Sequence, residues 1–345
     1  AGADEAGASG PIARGAGDRW LVEGPCEYLP PVCVQVLDRR SAIPLDKNEG
    51  IYVRDCSSGA VRSVTGSSYL LRENEELWEK DLPESVEQLL VRYGGAAARV
   101  KHRVVSFRVP HNAVAQIYDY RRKSARLVFG PGMVMLEPDE QFTQLTLSGG
   151  KPKRSGAIRD VILRLGPDYM TDILNVETSD HARLSLKLSY SWHFDVDPAD
   201  ESPEGLAKAR ALFSVPDFVG DGCKAIASRV RGVVASIPFD QFHRNSAAII
   251  AEAVFGIEPT SGNLRTELRL PNNNLVIDAV DVQTVEPVDK STRDSLMRSV
   301  QNAIQDTTDA VEAEATNKAS QKEQQAMGEL QRQKILDDAK IEEAR

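Results

Sequence analysis

Gly66-Ser67-Ser68-Tyr69-Leu70-Leu71, running on through Glu76-Leu77-Trp78, returns as Gly130-Pro131-Gly132-Met133-Val134-Met135, running on through Glu140-Gln141-Phe142. In both stretches a Gly leads a bulky apolar run, a turn residue follows (Asn74, Pro138), and a Glu precedes a closing bulky residue. An earlier copy starts at Gly17, continues through Trp20-Leu21-Val22, turns at Pro25 and closes with Glu27 and Leu29. Trp20, Tyr69 and Met133 are therefore expected at equivalent apolar positions, each on the strand after its Gly. The later two copies also match upstream at a constant offset of 64 residues: Asn48 with Asn112, Asp55 with Asp119, Arg62 with Arg126, Val64 with Val128 and Glu73 with Glu137. Short strands bounded by Gly, Pro, Asn and Ser read as small antiparallel units, with turns at Ser57-Ser58-Gly59 and Arg121-Arg122-Lys123-Ser124. Chance likeness of two hairpins is the competing explanation, and many matches at one offset count against it. Repeated units bury their apolar faces on neighbours, which points to a scaffold before a catalyst.

The 345 residues suffice for two or three domains, and 41% hydrophobic with 27% charged residues is ordinary for a globular protein. A net charge of −9 and few aromatics argue against a general nucleic-acid binder, DNA included. Cys26, Cys33, Cys56 and Cys223 form no CxxC and no zinc spacing, so they read as small buried hydrophobes in a reducing compartment. No apolar run reaches the roughly 18 residues that span a bilayer. Ala1 to Gly17 reads as a Gly/Ala-rich linker, and the last residues stop inside a helical pattern, so the chain is expected to be a piece of a longer polypeptide.

Along the chain, Glu84 to Leu90 reads as a short helix and Gly94-Gly95-Ala96-Ala97-Ala98 as a connector. Ser148 to Gly156, with Lys151, Lys153 and Arg154, reads as a solvated linker at a domain boundary rather than a phosphate contact. Asp180 to Val196 then alternates strictly. Leu184, Leu186, Leu188, Tyr190, Trp192 and Phe194 face one way, as in a half-buried strand or strand pair. Helices over Asp217–Ser236 and Asp240–Phe255 supply a cover, and Pro271-Asn272-Asn273-Asn274 turns into a strand over Leu275–Val282. The class is α+β. From Asp289 or Ser291 a long helix follows. Leu296, Val300, Ile304 and Val311 form a stripe on it, and Met327, Leu330, Ile335, Leu336 and Ile341 are thinner apolar positions beyond. A helix this polar gains little from a core. It is either a solvated linker or a coiled-coil element that needs partner helices.

Catalytic patterns are missing. The five histidines, His102, His111, His181, His193 and His243, are scattered without HExxH, and no Walker A loop, GxGxxG after a strand, or GxSxG elbow occurs. No enzyme, cofactor or metal is expected.

Asp18-Arg19-Trp20-Leu21-Val22-Glu23-Gly24-Pro25-Cys26-Glu27-Tyr28-Leu29-Pro30, Ala42-Ile43-Pro44-Leu45-Asp46-Lys47-Asn48-Glu49-Gly50-Ile51-Tyr52-Val53, Val109-Pro110-His111-Asn112 with Gln116 to Arg121, and Phe213 to Gly232 closely resemble the major vault protein family. The resemblance covers nearly all of the chain from Gly17. It implies a linker over 1–17, β wall repeats over 18–100 and 101–155, a stomatin/prohibitin-like shoulder over 156–285, and the start of a cap helix over 286–345. It also implies side-by-side self-assembly into the shell of a hollow ribonucleoprotein in the cytoplasm, with a minor nuclear fraction. Leu296, Val300, Ile304, Val311, Leu330 and Ile335 would then meet neighbouring subunits. The family's partners include a vault poly(ADP-ribose) polymerase, a telomerase-associated protein and small vault RNA. The sequence departs from the family in lacking the upstream repeats and in a shorter connector around Gly94 to Lys101. The alternative function is a peripheral membrane scaffold of the stomatin/prohibitin/flotillin type, which would usually carry a hydrophobic hairpin or acylation signal that is not seen here.

Overall fold

The computed structural model describes residues 14–94, 99–200, 202–258 and 262–343, and the side chains of 295, 299, 303 and 336–343 also lie outside its description. Most of the expected linker over 1–17, the connector at Gly95–Ala98, and the apolar side chains of Leu336 and Ile341 therefore fall outside it.

The first repeat is a three-stranded sheet. β1 (Gly50–Asp55) pairs antiparallel with β2 (Val61–Thr65) and with β3 (Glu75–Leu77), in the order β2-β1-β3. Helix α1 (Glu84–Arg92) follows, placing Val86, Leu89 and Leu90 inward. The second repeat restates the sheet. β4 (Ser106–Val109) pairs with β7 (Gly132–Met135), while β5 (Ala113–Asp119) pairs with β6 (Ser124–Phe129), β8 (Glu140–Phe142) and β11 (Leu163–Arg164). Its core joins Phe107, Ile117, Val134, Leu136 and Phe142 to Leu89 and Leu90 of α1. β9 (Leu145–Gly149) and β10 (Arg154–Asp160) form a separate hairpin.

The two repeats keep an offset of 64 only through their first hairpin. Gly50 faces Thr65 as Val114 faces Phe129, and the amide of Gly66 donates to the Glu49 carbonyl as that of Gly130 does to Ala113. After the Gly the offset becomes 65. Ile43 bridges Tyr69 as Phe107 faces Val134, and Asp55 faces Glu75 as Asp119 faces Glu140. The second repeat has one extra residue between its Gly and its next bridge. Two expectations are thereby corrected: Val134, not Met133, is the counterpart of Tyr69, and Glu75, not Glu76, is that of Glu140. The placement of Trp20 on a strand is corrected as well. Among the described residues no strand forms before β1, and Trp20 lies in irregular chain beneath the Arg14 guanidinium, 4.0 Å from its ring centroid.

Beyond the repeats, β12 (Asp168–Glu177), β13 (Arg183–Phe194), β15 (Leu275–Pro287) and β14 (Leu268–Leu270) form a sheet in that order. With them come α2 (Pro203–Ala211), α3 (Phe218–Val234) and α4 (Phe239–Phe255). The alternation in β13 is realised as one strand: Leu184, Leu186, Leu188 and Tyr190 are 0% exposed and Trp192 and Phe194 are buried. Phe218 meets Trp192 and Phe194 edge-on, with centroids 5.1 and 5.2 Å away. Ile226 and Val230 of α3 are also fully buried. Ser202 caps α2, its hydroxyl accepting from the Gly205 amide at 3.0 Å ahead of Pro203 at the first turn. Helix α5 (Lys290–Glu343) ends the description.

The chain divides into two compact units. One is Ala1–Asp172 with Tyr190–Ile226 and Ile257–Val280; the other is Ile173–Ser189 with Ala227–Gly256 and Asp281–Arg345. The first holds the repeats, and the second holds α4 and α5.

Candidate assembly surfaces

Each repeat is closed by a buried carboxylate. Glu75 accepts from Arg62 Nη2 at 2.6 Å, from the Tyr69 hydroxyl at 2.7 Å and from the Arg72 amide at 3.0 Å. Glu140 accepts from Arg126 Nε and Nη2 at 2.7 and 2.8 Å and from the Glu137 amide at 3.0 Å. Burial pushes both carboxyls up, but these donors outweigh it and hold them below the ordinary glutamate range. The same turn chemistry recurs at the hairpin tips. Asp55 takes the amides of Ser57 and Ser58, and Asp119 takes those of Arg121 and Arg122. A left-handed residue follows in each, Gly59 at φ 72° and Lys123 at φ 54°.

Side chains of the first repeat tie it to the second, the Ser63 hydroxyl donating to Glu137 Oε2 at 2.7 Å among them. The Tyr52 hydroxyl donates to the Leu136 carbonyl at 2.9 Å, and the buried Lys80 ammonium donates to the Pro138 carbonyl at 2.5 Å. Stacking of one unit on the next is thus built into the chain.

The stretch expected as a linker, Ser148 to Gly156, is the β9–β10 hairpin. Its glycines bend rather than loosen it: Gly150 and Gly156 sit at φ 82° and 72°, and the pairing shifts register between Arg154 and Ile158. Six of the seven residues of β10 are exposed. Asp217 anchors the hairpin, accepting from the Ser148 amide at 2.8 Å and its hydroxyl at 2.5 Å.

Along α5 the expected contact residues lie in solvent. Val300 is 43% exposed, and Ile304, Val311, Leu330 and Ile335 are at least 60% exposed, while Leu296 is half-buried. Met297, missed from sequence, belongs with them. At about 100° per residue Met297, Val300, Ile304 and Val311 fall within roughly 60° of one another. Leu330 and Ile335, five positions apart, are turned about 140° from each other, so they do not share one narrow seam.

Other candidates hold little chemistry. Cys26, Cys33 and Cys56 are exposed, which corrects their reading as buried. Two lie in irregular chain and one at the β1–β2 hairpin, and only Cys223 is buried. Burial pushes the Cys223 thiol up to about 12, the reverse of activation. His193 lies 3.3 Å from Asp278 and is partly exposed. Among the described residues no group of three or more His, Cys, Asp or Glu side chains is placed to hold a metal, and no helix is long and apolar enough to cross a membrane. A 420 Å³ concavity lined by Tyr93, His111, Asn112, Arg164 and Asp168 has its Tyr93 hydroxyl committed to Asp160 at 2.8 Å.

Tandem antiparallel repeats tied end to end, an α+β domain and a solvent-facing helix define a repeat-built protein with an appended shoulder. Family profiles agree. "Major Vault Protein repeat domain" profiles match residues 4–31, 42–100 and 104–165, and a "Shoulder domain" profile matches 166–289. The chain is 56% identical over 97% of its length to the major vault protein of Danio rerio, covering 40% of that protein. It is 54% identical to that of Mus musculus over 97% of the chain and 41% of the relative. Against the major vault protein alpha of Dictyostelium discoideum identity is 55%, over 96% and 39%. The chain belongs to the major vault protein family. It spans about two fifths of the length of these relatives.

Proposed function

We propose that this chain is the later wall, the shoulder and the first part of the cap helix of a vault shell subunit, a structural protein whose work is self-assembly. The observation that carries this reading is α5. Its 54 residues make a helix of about 80 Å, and Met297, Val300, Ile304, Val311, Leu330 and Ile335 stand in solvent on it. Polar helices of this kind gain stability from parallel partners rather than from a core. Copies set side by side would bring the Met297–Val311 stripes together, with Leu330 and Ile335 making further contacts. In the whole particle the proposed partners are further copies of the subunit, the vault poly(ADP-ribose) polymerase, the telomerase-associated protein and small vault RNA. The proposed location is the cytoplasm with a minor nuclear fraction, and no catalytic step is assigned.

The test is sedimentation velocity of the full-length protein beside its V300D/I304D variant. The expected result is loss of large particles with unchanged β-sheet circular dichroism. Normal particles from the variant would remove the stripe from assembly.

A further inference from the structure

Among the strand edges left unpaired in the described residues, one on β10 and one on β15 carry opposite charge. Among the described residues β10 pairs only with β9. Residues Arg154 to Arg159 are exposed without alternation, so both faces of the strand meet solvent, and Ile158 is 45% exposed. Lys151, Arg154 and Arg159 make no ion pair among the described residues. The second edge belongs to β15. Its neighbour β14 covers only Leu275 to Ile277, and beyond that point no strand of the described residues pairs on that side. Along the uncovered length Asp281, Gln283, Thr284 and Glu286 are exposed, and Asp281 and Glu286 make no ion pair among the described residues. Arg154 and Arg159 are five residues apart, as are Asp281 and Glu286.

We propose that the basic edge of β10 in one copy pairs with the acidic edge of β15 in the next copy, a head-to-tail junction between neighbouring subunits. The proposal rests on the assembly reading above and adds the elements that meet. Free strand edges recruit partner strands through their backbone groups, and side-chain charge then selects the partner. Cations and a bulge on an edge also discourage unwanted strand addition. What singles out β10 is that the same chain presents its electrostatic complement on a second free edge. Nucleic acid fits the ribbon less well, because residues 151–159 hold no aromatic side chain for a base to stack on. A junction joining two different patches repeats from copy to copy and closes into a ring when the rotation allows, as a shell requires.

Two variants of the full-length protein test the pairing, R154E/R159E and D281R/E286R. Alone, each sets like charges together at every junction and is expected to sediment as unassembled subunits. Mixed in equal amounts they are expected to assemble, because the junctions then alternate between the natural pair and its reversal. Wild-type assembly is expected to weaken as salt is raised. Normal particles from either variant alone, or no assembly from the mixture of folded chains, would overturn the junction. So would normal particles that have lost only bound nucleic acid, which would reassign the ribbon. Should a reversal unfold its chain, R154Q/R159Q decides: assembly lost at lower salt than in wild type supports the pairing, and unchanged salt dependence overturns it. Failure of the wild type to form particles is a different result, and it removes the assembly reading itself.

Discussion

Glu75 and Glu140 close consecutive repeats from the same place in the sheet, each almost out of solvent and each satisfied by an arginine and a backbone amide. Replacing either carboxylate by an amide removes its charge and turns one of its two acceptor oxygens into a donor that faces the same donors. Glu140→Gln and Glu75→Gln should therefore each cost about 1–3 kcal/mol in denaturant unfolding. Glu76 is half exposed and only 3.5 Å from Arg54, so Glu76→Gln should stay within about 0.5 kcal/mol. Equal effects at Glu75 and Glu76 would contradict the one-residue shift between repeats. Because the folded state depresses both carboxyls, their contribution is present above the ordinary value of 4.5 and is lost as pH falls through the lower folded value. Lys80 works in the other direction. Burial chiefly lowers its ammonium to about 8, against an ordinary 10.5. Between those values the unfolded chain binds the proton and the folded chain does not, so stability should rise with pH. Burial lifts Tyr52 to about 12, so above pH 10, where an unfolded tyrosine ionises first, the trend reverses. Burial likewise lifts the Cys223 thiol from 9 to about 12, which works against Lys80 above pH 9. Urea midpoints measured from pH 8 to 9 should therefore climb in wild type and not in Lys80→Met; a wild-type profile without that climb would contradict the buried ammonium.

At the scale of elements, the sequence was most legible where one period ran unbroken. The two-residue alternation of β13 and the three-to-four spacing of α3 and α4 are visible without a structure, because each buries a single face. Leu186, fully buried in β13, follows: Leu186→Asp should abolish the cooperative melt of the sheet it belongs to, and an unchanged melt would mean its face is misassigned. Legibility failed where pairing, not period, decides. Gly149-Gly150-Lys151-Pro152 has the composition of a linker, and only the contacts of β9 with β10, with Asp217 as anchor, turn it into a hairpin. The extra residue in the second repeat was invisible to a constant offset, since hydrogen bonds rather than residue identities locate it. β12 was missed because Asp172 stands at a buried position in line with Met170, Leu174 and Val176. α2 carried a readable signal in Ser202-Pro203-Glu204 that went unused. At the hairpin tips the sister turns make a controlled comparison. Lys123 occupies a left-handed position that Gly59 fills in the first repeat, so Lys123→Gly should be neutral or stabilising by up to about 1 kcal/mol. Destabilisation in a thermal melt would show that the lysine side chain has packing worth more than that strain.

For the whole molecule, the repeats and the helix argue for assembly in different ways. Tyr52 and Lys80 show that one unit is finished by the next within the chain, while α5, β10 and β15 present surfaces that nothing in the described chain finishes. The candidate surfaces were only partly legible: the stripe from Val300 to Val311 was read from spacing, but edge strands exist only once a sheet is known. The most direct test of the account is negative-stain electron microscopy of purified full-length protein without added lipid or partner. Closed, hollow particles of uniform size are the predicted result. Dispersed subunits, or chains that organise only on added liposomes, would contradict it.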